Sequence, residues 1–389
     1  MIHQNVDLRD LFLLDKHVTF LNHGSFGSCP TPIFENFQQY QKLLESQPIA
    51  FLDEHIGQNI LTSQRALSTF INCDADDIVF FTNPTTAINE VMRSIPLHEG
   101  DEILSSNHEY GALDKAWDFI CKKRGTTHVK AVIPNPILSK EGFIDTFVSA
   151  ITSRTKVIFI SHITSSTGLI FPIKEIIKIA QQQNIITIID GAHVPGHIPL
   201  NLTELGADIY TGTCHKWLLC PKGTSFLYVK KELQNQIEPL IVSWGYENSE
   251  FSRTPFQNSH IWQGTRDISP FLTIPKAIEF RDEYNWNDVS AVNKLMILDF
   301  RNEILSSFDT VPLFEDNPSQ WLGQMYSFSI PNHINKCGQI KSQLIHKYNI
   351  EIPVFLWAEK LYIRISLNGY NNEDDLHRLL AVLPKIISA

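Results

Sequence analysis

The feature that most constrains the fold is a run over residues 185–228 in which strand-like apolar segments end in chemically active side chains. Asp190 follows the apolar residues 185–189, and Lys216 follows a second strand-like segment over residues 208–213. The carboxyl ends of parallel strands meet at one edge of a sheet, and that edge is where open α/β sheets bind ligands. The sequence therefore predicts that a buried acid and a buried amine share one site.

The same alternation of short strands and amphipathic helices extends over most of the chain. Further strands are predicted at residues 78–82, 102–105, 128–134, 156–161 and 224–229, and helices at residues 34–45, 56–71, 143–152 and 173–183, with another helix running to about residue 124. The strand at 156–161 is nearly continuous in β-forming residues, as expected for a strand buried on both faces. The alternation indicates an α/β fold with a mostly parallel, doubly wound sheet.

Composition narrows the classes of partner. The 389 residues carry a formal net charge of −10 and are 43% hydrophobic and 19% charged, as in a globular protein. The negative charge disfavours nucleic acid and an anionic membrane surface as partners. Charged residues interrupt the first 20 positions, no stretch has the length of a membrane span, and the six cysteines form no C-x-x-C pair. We therefore expect a cytoplasmic protein with reduced thiols and no metal site.

The acid and the lysine at the sheet edge suit pyridoxal phosphate. A lysine can hold the aldehyde of this cofactor as a Schiff base, and a carboxylate can keep the pyridine nitrogen protonated. Lys216 is the better candidate because apolar residues follow it, whereas Lys222 lies in a Pro-Lys-Gly turn where a solvated lysine is expected. Asp190 is the candidate carboxylate.

Polar side chains beside these two residues extend the predicted site. His193 follows Asp190 by three residues and could hydrogen-bond the phenolic oxygen of the cofactor, although an Asp N-cap with a surface histidine explains the same spacing. Thr213 and His215 precede Lys216 and could hydrogen-bond a phosphate. The cluster as a whole favours the cofactor site.

Two more segments predict close contacts with a ligand. Thr85 and Thr86 stand at a probable helix start after the strand at 78–82, where free N–H groups suit a phosphate, although threonine is also an ordinary N-cap. The segment FLNHGSFGSCPTP contains two glycines and two prolines around Asn22 and His23. It indicates either a close turn beside the site or a tight entry loop into the first helix.

Seven segments together resemble a known family. In chain order they are LNHGSFG, TNPTTAIN, NHEYGA, DGAHVPG, GTCHKWLLCPKGTSFLY, WQGTRDIS and IRISLNGYNNEDDL, which run from residue 21 to about residue 380. This series resembles the motifs of class V aminotransferases, a branch of the fold-type I pyridoxal-phosphate enzymes, and is most similar to the isopenicillin N epimerase-like group.

The resemblance implies roles for individual residues. It implies that Lys216 is the Schiff-base lysine, with Asp190 on the pyridine nitrogen and His193 on the phenolic oxygen. It also implies phosphate contacts from Thr85, Thr86, Thr213 and His215, a stacking ring from Tyr110 with His108 as second choice, carboxylate binding by Arg364, substrate contacts from Asn22 and His23, and phosphate contacts donated to a neighbouring subunit by Gly264 and Thr265. We therefore expect a homodimer with shared active sites and an amino-acid substrate.

The chain also shows a change of pattern after residue 232. A loop-rich section is followed by predicted helices at residues 270–284, 288–307, 338–348 and 373–387 and by strands at residues 325–329 and 361–366. This mixture predicts a smaller C-terminal α+β domain. We expect an N-terminal segment with a substrate loop at residues 1–30, a large pyridoxal-phosphate-binding domain at residues 31–265 and a small domain at residues 266–389.

Three reactions share these residues. Lys216 could serve as acid and base at the substrate α-carbon, and epimerisation would need a second group, Tyr110 or His108, on the far side of the ring. Transamination would use Lys216 alone, and β-elimination would expel a β-substituent such as sulfur. The segment before Arg364 contains no cysteine, and Cys337 is separated from it by a predicted helix, so a persulfide mechanism is not expected. A non-catalytic scaffold would not need these residues, and the glycine motif of nicotinamide enzymes is absent.

Overall fold

The computed structural model describes residues 7–247, 253–330 and 334–387. The strands are β1 (Thr19–Phe20), β2 (Ile78–Phe81), β3 (Glu102–Ser106), β4 (Thr127–Ala131), β5 (Thr155–Ser161), β6 (Ile186–Gly191), β7 (Ile209–Thr213), β8 (Ser225–Val229), β9 (Met325–Ile330), β10 (Ile350–Glu351), β11 (Val354–Trp357) and β12 (Lys360–Ser366).

Helices surround and follow these strands. They are α1 (His23–Phe26), α2 (Thr31–Ser46), α3 (Ile56–Ile71), α4 (Pro84–Ser94), α5 (Gly111–Arg124), α6 (Lys140–Val148), α7 (Ile173–Gln182), α8 (Leu202–Leu205), α9 (Pro255–Ile261), α10 (Ser269–Leu272), α11 (Ile274–Glu283), α12 (Trp286–Ser307), α13 (Pro318–Trp321), α14 (Cys337–Tyr348) and α15 (Glu373–Ile387). In the part of the chain that the structure describes, no helix is both long enough and apolar enough to cross a membrane.

The central sheet has seven strands in the order β2-β8-β7-β6-β5-β3-β4. Strand β8 is antiparallel to both β2 and β7, and the other neighbouring strands are parallel. The predicted α/β fold with a mostly parallel sheet is therefore confirmed.

Both faces of this sheet are covered, as the continuous apolar strands predict. Along β5, Val157 and Phe159 belong to the apolar cluster that also contains residues of α4 and α5. The alternating residues Ile158 and Ile160 belong to the larger cluster on the opposite face. The period-two alternation thus places one buried side chain on each face in turn.

The C-terminal elements form a second, three-stranded antiparallel sheet in the order β11-β12-β9. Strand β1 pairs in parallel with β10, so the N-terminal segment joins these C-terminal elements. In the fold, Arg364 on β12 meets the N-terminal loop through Ser25. The domain boundaries at residues 30 and 265 stay a prediction.

Several predicted boundaries differ from the structure. The helix expected at residues 270–284 is two helices, α10 and α11, each with a proline in its first turn. A proline is favoured at the start of a helix and disfavoured in its interior, which explains the break before Pro275. The section expected to be loop-rich contains α9, whose start is marked by Thr254 accepting a hydrogen bond from the Gln257 N–H.

Candidate active site

A cavity of about 1050 Å³ lies at the carboxyl edge of the central sheet. The strand register explains the gathering of polar groups here, because Ser161 at the end of β5 is aligned with Asp190 on β6. Residues from eight parts of the chain line the cavity: Gly24, Ser25, Phe26, Asn83, Pro84, Thr85, Thr86, Asn107, Glu109, Tyr110, Gly111, Ala112, Leu113, Asp114, Ser161, Ile163, Ser165, Ser166, Asp190, Ala192, His193, Thr213, His215, Lys216, Pro353, Phe355, Leu356, Trp357 and Arg364.

Lys216 and Asp190 meet in this cavity, as the sequence predicts. The Lys216 amine is 3.3 Å from Nε2 of His193, and the buried Asp190 carboxylate accepts a hydrogen bond of 2.9 Å from the Ala192 N–H. Burial and the charge of Arg364 lower the pKa of Lys216 to about 7, although Asp190 acts in the opposite direction. Burial also raises the pKa of Asp190. The fold therefore holds an amine that is readily neutral beside a carboxyl group with little access to water.

The N-terminal loop supports the backbone of Lys216 from behind. The buried His23 donates from Nε2 to the Lys216 carbonyl (3.0 Å), and its Nδ1 is 2.9 Å from the Tyr370 hydroxyl. Gly27 has φ +67°, and a Cβ there would lie 2.1 Å from the His215 carbonyl oxygen, so only glycine allows this approach. His23 thus lies behind the cavity wall and is not among the described residues that line the cavity. Its substrate contact stays a prediction.

Asn22, the other predicted substrate contact, reaches the cavity only through Ser25. The Ser25 hydroxyl donates to Asn22 and accepts a hydrogen bond of 2.9 Å from Nη2 of Arg364. Ser25 is a cavity-lining residue that sequence reasoning missed, although it lies inside the motif LNHGSFG.

The start of α4 lines the part of the cavity suited to a phosphate. Asn83 caps this helix, and its side-chain oxygen accepts from both the N–H (2.9 Å) and the hydroxyl (3.1 Å) of Thr86. The N-cap is therefore asparagine rather than threonine. Thr85 also lines the cavity at this helix start, where the helix dipole and unpaired N–H groups favour an anion.

Thr213 and His215 lie on the same wall. Among the described residues the buried Thr213 hydroxyl has no hydrogen-bond partner. His215 uses Nδ1 to donate to the Thr224 carbonyl (3.1 Å), so its Nε2 remains available to the cavity. A buried hydroxyl without a partner is costly, so Thr213 indicates a missing polar ligand. These groups fit a phosphate.

Arg364 brings a buried positive charge to the cavity. Its guanidinium donates to the Ser165 carbonyl (2.6 Å) and to Ser25, and its Nε has no partner among the residues that the structure describes. Burial lowers the pKa of Arg364 to about 10, and no acidic group in the described ranges counters the shift. A buried guanidinium without a counter-ion is suited to bind a carboxylate.

The two ring-stacking candidates differ in position. Tyr110 lines the cavity at the start of α5 and is 45% exposed. His108 is buried, 3.1 Å from the Thr167 hydroxyl, and its ring centroid is 4.6 Å from that of Trp357. The structure therefore brings Tyr110, and not His108, to the cavity surface.

Sequence reasoning missed Glu109, although it belongs to the motif NHEYGA. Its buried carboxylate accepts hydrogen bonds from the Ser106 hydroxyl and from the hydroxyl and N–H of Ser161. Burial raises the pKa of Glu109 to about 7. Because Ser161 is aligned with Asp190, Glu109 ties the loop that carries Tyr110 to the strand pair that carries the acid.

Gly264 and Thr265, the predicted phosphate contacts to a neighbouring subunit, lie outside the cavity. They follow α9, and neither lines the cavity of this single chain. Thr265 is exposed. Of the described residues that line the cavity, none is a cysteine, and the Cys337 thiol donates to the Val354 carbonyl at 3.6 Å.

Comparisons with known proteins identify the family of this chain. The family model for aminotransferase class V matches residues 28–379. The chain is 30% identical to isopenicillin N epimerase of Amycolatopsis lactamdurans, with 97% of both chains covered. It is 25% identical to putative L-cysteine desulfhydrase 1 of Oryza sativa subsp. japonica, covering 95% of this chain and 83% of that protein.

A solved structure shows the same fold. The apo structure of cysteine desulfurase from Thermococcus onnurineus NA1 matches with a TM-score of 0.82 and 17% identity, over 98% of both chains. At this identity the likeness concerns the fold alone. The family match spans most of the chain, and the described residues that line the cavity at the sheet edge include Lys216, Asp190 and the start of α4. The chain therefore belongs to the class V aminotransferases, a family of pyridoxal-phosphate enzymes.

Proposed function

We propose that this chain moves a proton at the α-carbon of an amino acid, with pyridoxal phosphate as its cofactor. The observation that carries the proposal is that one cavity holds the Lys216 amine beside Asp190 together with the Arg364 guanidinium, whose Nε has no partner among the described residues. Bound pyridoxal phosphate supplies a ring that withdraws electrons from the α-carbon. Arg364 binds the substrate carboxylate, and Lys216 holds or moves the α-proton.

The described residues fit this cofactor. Lys216 would hold its aldehyde, Asp190 its pyridine nitrogen and His193 its phenolic oxygen. Tyr110 would cover its ring face. Its phosphate would be held by the start of α4 together with Thr85, Thr86, Thr213 and His215, and the unpartnered Thr213 hydroxyl supports that placement.

Epimerisation is the reaction that we favour. The resemblance of this chain's motifs to the isopenicillin N epimerase-like group supports it, and so does the 30% identity to isopenicillin N epimerase. Tyr110 supplies a hydroxyl at the cavity surface that could deliver a proton opposite Lys216. The alternative is β-elimination, which is supported by the 25% identical relative named as a desulfhydrase and would need Lys216 alone. A persulfide route lacks support because no described cavity-lining residue is a cysteine.

We further propose a cytoplasmic homodimer in which Gly264 and Thr265 complete the partner's phosphate site. A run of exposed apolar residues before α9 supports association, since Val242 is 66% exposed and Trp244 is 76% exposed. Patches of this kind commonly mark interfaces.

The substrate side chain is apolar in this proposal. Phe26 and Leu356 line the cavity although they are 69% and 53% exposed, and Phe355 and Trp357 continue the same wall along β11. Arg364 lies between the two sides of this wall. Its guanidinium Nη2 donates to the Ser25 hydroxyl, and its backbone N–H donates to the Pro353 carbonyl. A substrate anchored at Arg364 therefore extends its side chain over apolar surface.

The proposal predicts α-deuterium exchange that depends on the side chain. In deuterium oxide with pyridoxal phosphate, the enzyme is expected to label the α-carbon of an amino acid. Burial of a large apolar side chain should raise kcat/KM about 10- to 150-fold over alanine. Chiral chromatography with mass spectrometry of L- and D-amino acids measures both quantities.

The products of this panel separate the reactions. Label in both enantiomers indicates epimerisation, an oxo acid indicates transamination, and pyruvate with a released thiol indicates elimination. Phe26→Ala should reduce the preference for large side chains, whereas Leu295→Ala changes a similarly exposed residue of α12 and should not. Absence of α-exchange with every amino acid would contradict the proposed function.

Arg364 provides a separate prediction about binding. Arg364→Gln is expected to lower kcat/KM about 30- to 4000-fold, because it removes one partner of a buried charge pair. It should also abolish the preference for an amino acid over the corresponding amine that lacks the carboxylate. Competition between the amino acid and the amine, monitored through the visible spectrum of the bound cofactor, measures that preference.

Two variants control for this change. Arg364→Lys keeps the charge but loses the two-pronged geometry, so its defect should be smaller than that of Arg364→Gln. Arg65→Gln removes an exposed arginine of α3 and should leave both properties unchanged. An Arg364→Gln enzyme that still prefers the amino acid would exclude Arg364 as the carboxylate site.

A further inference from the structure

The residue after Lys216 makes an atom-specific contact with His193. The Trp217 indole nitrogen is 3.3 Å from Nδ1 of His193, while Nε2 of His193 is 3.3 Å from the Lys216 amine. Both rings are buried, with 1% exposure for Trp217 and 2% for His193. The two nitrogens of His193 therefore face different partners.

The chemistry of the indole decides which nitrogen carries the proton. An indole N–H can donate but has no acceptor. Nδ1 of His193 must accept from it and is therefore unprotonated. Burial and the charge of Lys216 hold the pKa of His193 well below its usual value, so the ring is neutral and has a single N–H. That N–H is on Nε2.

We propose that Trp217 is a positioning residue that fixes the Nε2–H tautomer of His193 and so presents a hydrogen-bond donor beside Lys216. The tautomer follows from this chain alone at a pH where the Lys216 amine is neutral and can accept from Nε2. Its use rests on the proposed function, in which the donor serves the phenolic oxygen of pyridoxal phosphate. With the other tautomer, Nε2 would be a lone-pair acceptor facing an anionic oxygen.

The surroundings prevent the indole from turning away. Its ring stacks on His197 with centroids 4.0 Å apart and an interplanar angle of 29°, and Arg281 donates to the Trp217 carbonyl (2.9 Å). His197 is itself held, because Nδ1 donates to the His193 carbonyl (3.0 Å) and Nε2 accepts from the Gln324 N–H (2.6 Å). The network thus links Gln324, the residue before strand β9, to the tautomer of His193.

Nitrogen NMR on cofactor-free protein, at a pH above 7 where the Lys216 amine is neutral, tests the tautomer directly. In protein labelled with ¹⁵N-histidine, the signals lost in His193→Gln identify this ring. We expect its Nε2 to show the shift of a protonated nitrogen and its Nδ1 that of an unprotonated one. In Trp217→Phe, which keeps an aromatic ring but lacks the N–H, both tautomers should be populated. A wild-type proton on Nδ1, or identical shifts in the variant, would overturn the proposal.

A titration of the loaded enzyme tests the use of the donor. The pH at which the visible band of bound pyridoxal phosphate changes is expected to rise by roughly half to one unit in Trp217→Phe. The reason is that an oxygen that no longer accepts from His193 holds its own proton more tightly. In a His193→Gln background, Trp217→Phe should cause no further shift, because the glutamine amide donates without a tautomer.

Trp117→Phe is the matched control, since this buried indole N–H has no partner among the described residues. It should leave the midpoint unchanged. Equal shifts from Trp217→Phe in both backgrounds would reduce Trp217 to a packing role. If the NMR tautomer is as expected but pyridoxal phosphate does not bind, the proposed function fails while the tautomer assignment stands.

Discussion

Lys216→Ala is expected to lose the covalently attached cofactor and to slow α-proton exchange by about 10²- to 10⁴-fold or more, since general acid–base catalysis contributes factors of that size. The same substitution removes both the point of attachment and the base. Borohydride reduction of wild-type enzyme with pyridoxal phosphate, followed by proteolysis and mass spectrometry, should place the label on the peptide that contains Lys216.

Lys222→Ala is the matched control. The Lys222 amine donates to the Gly27 carbonyl at 3.0 Å, so it supports the N-terminal loop rather than the reacting groups. This variant should keep the label and most of the activity. A label on Lys222 or on another lysine would contradict the assignment of Lys216.

The attachment should also have a characteristic pH dependence. Only the neutral amine attacks the aldehyde, and burial lowers the pKa of Lys216 to about 7. The rate of attachment is therefore expected to rise with pH up to about 7 and to level off above it. With an exposed lysine, the rate of attachment would continue to rise towards pH ~10.4. Stopped-flow absorbance at constant ionic strength measures this profile.

Much of the fold could be predicted because its local signals agree with its tertiary contacts. The helix predicted at residues 56–71 is α3, Ile56–Ile71, whose apolar residues face the core. Strands such as β5 are buried on both faces, so their continuous β-forming sequence has one interpretation. The family prediction from seven ordered motifs is confirmed by the match over residues 28–379.

Other parts of the site could not be predicted because distant residues create them. Ser25 and Arg364 are 339 positions apart, and no local pattern shows that they form a hydrogen bond. Strand β11 was missed because its turn to β12 consists of Ala358 and Glu359, both with positive φ, where glycine or asparagine is the usual signal. The apolar cavity wall on β11 was missed with it.

Asp190→Asn is expected to keep the cofactor attached but to slow α-proton exchange roughly 10²- to 5 × 10³-fold, which corresponds to the 3–5 kcal/mol lost when a buried charge pair is broken. Asparagine can still accept the hydrogen bond from the Ala192 N–H, which is 2.9 Å long in the wild type. The substitution therefore removes the charge that would hold the pyridine nitrogen protonated and leaves the turn intact. Asp190→Glu should recover part of the rate.

The same variant should change two properties that an activity assay does not measure: the Tm of the cofactor-free protein and the pH midpoint of cofactor attachment. Burial raises the pKa of Asp190 in the fold, so its ionisation costs stability once the pH exceeds the unfolded value. Asp190→Asn should therefore raise Tm near neutral pH, as measured by calorimetry. Because Asp190 raises the pKa of Lys216, its removal should move the midpoint of cofactor attachment below pH 7. A variant with wild-type rate, Tm and midpoint would show that the carboxylate does not act on the site, whereas a slower but more stable protein would show that the fold retains a costly buried acid for its chemistry.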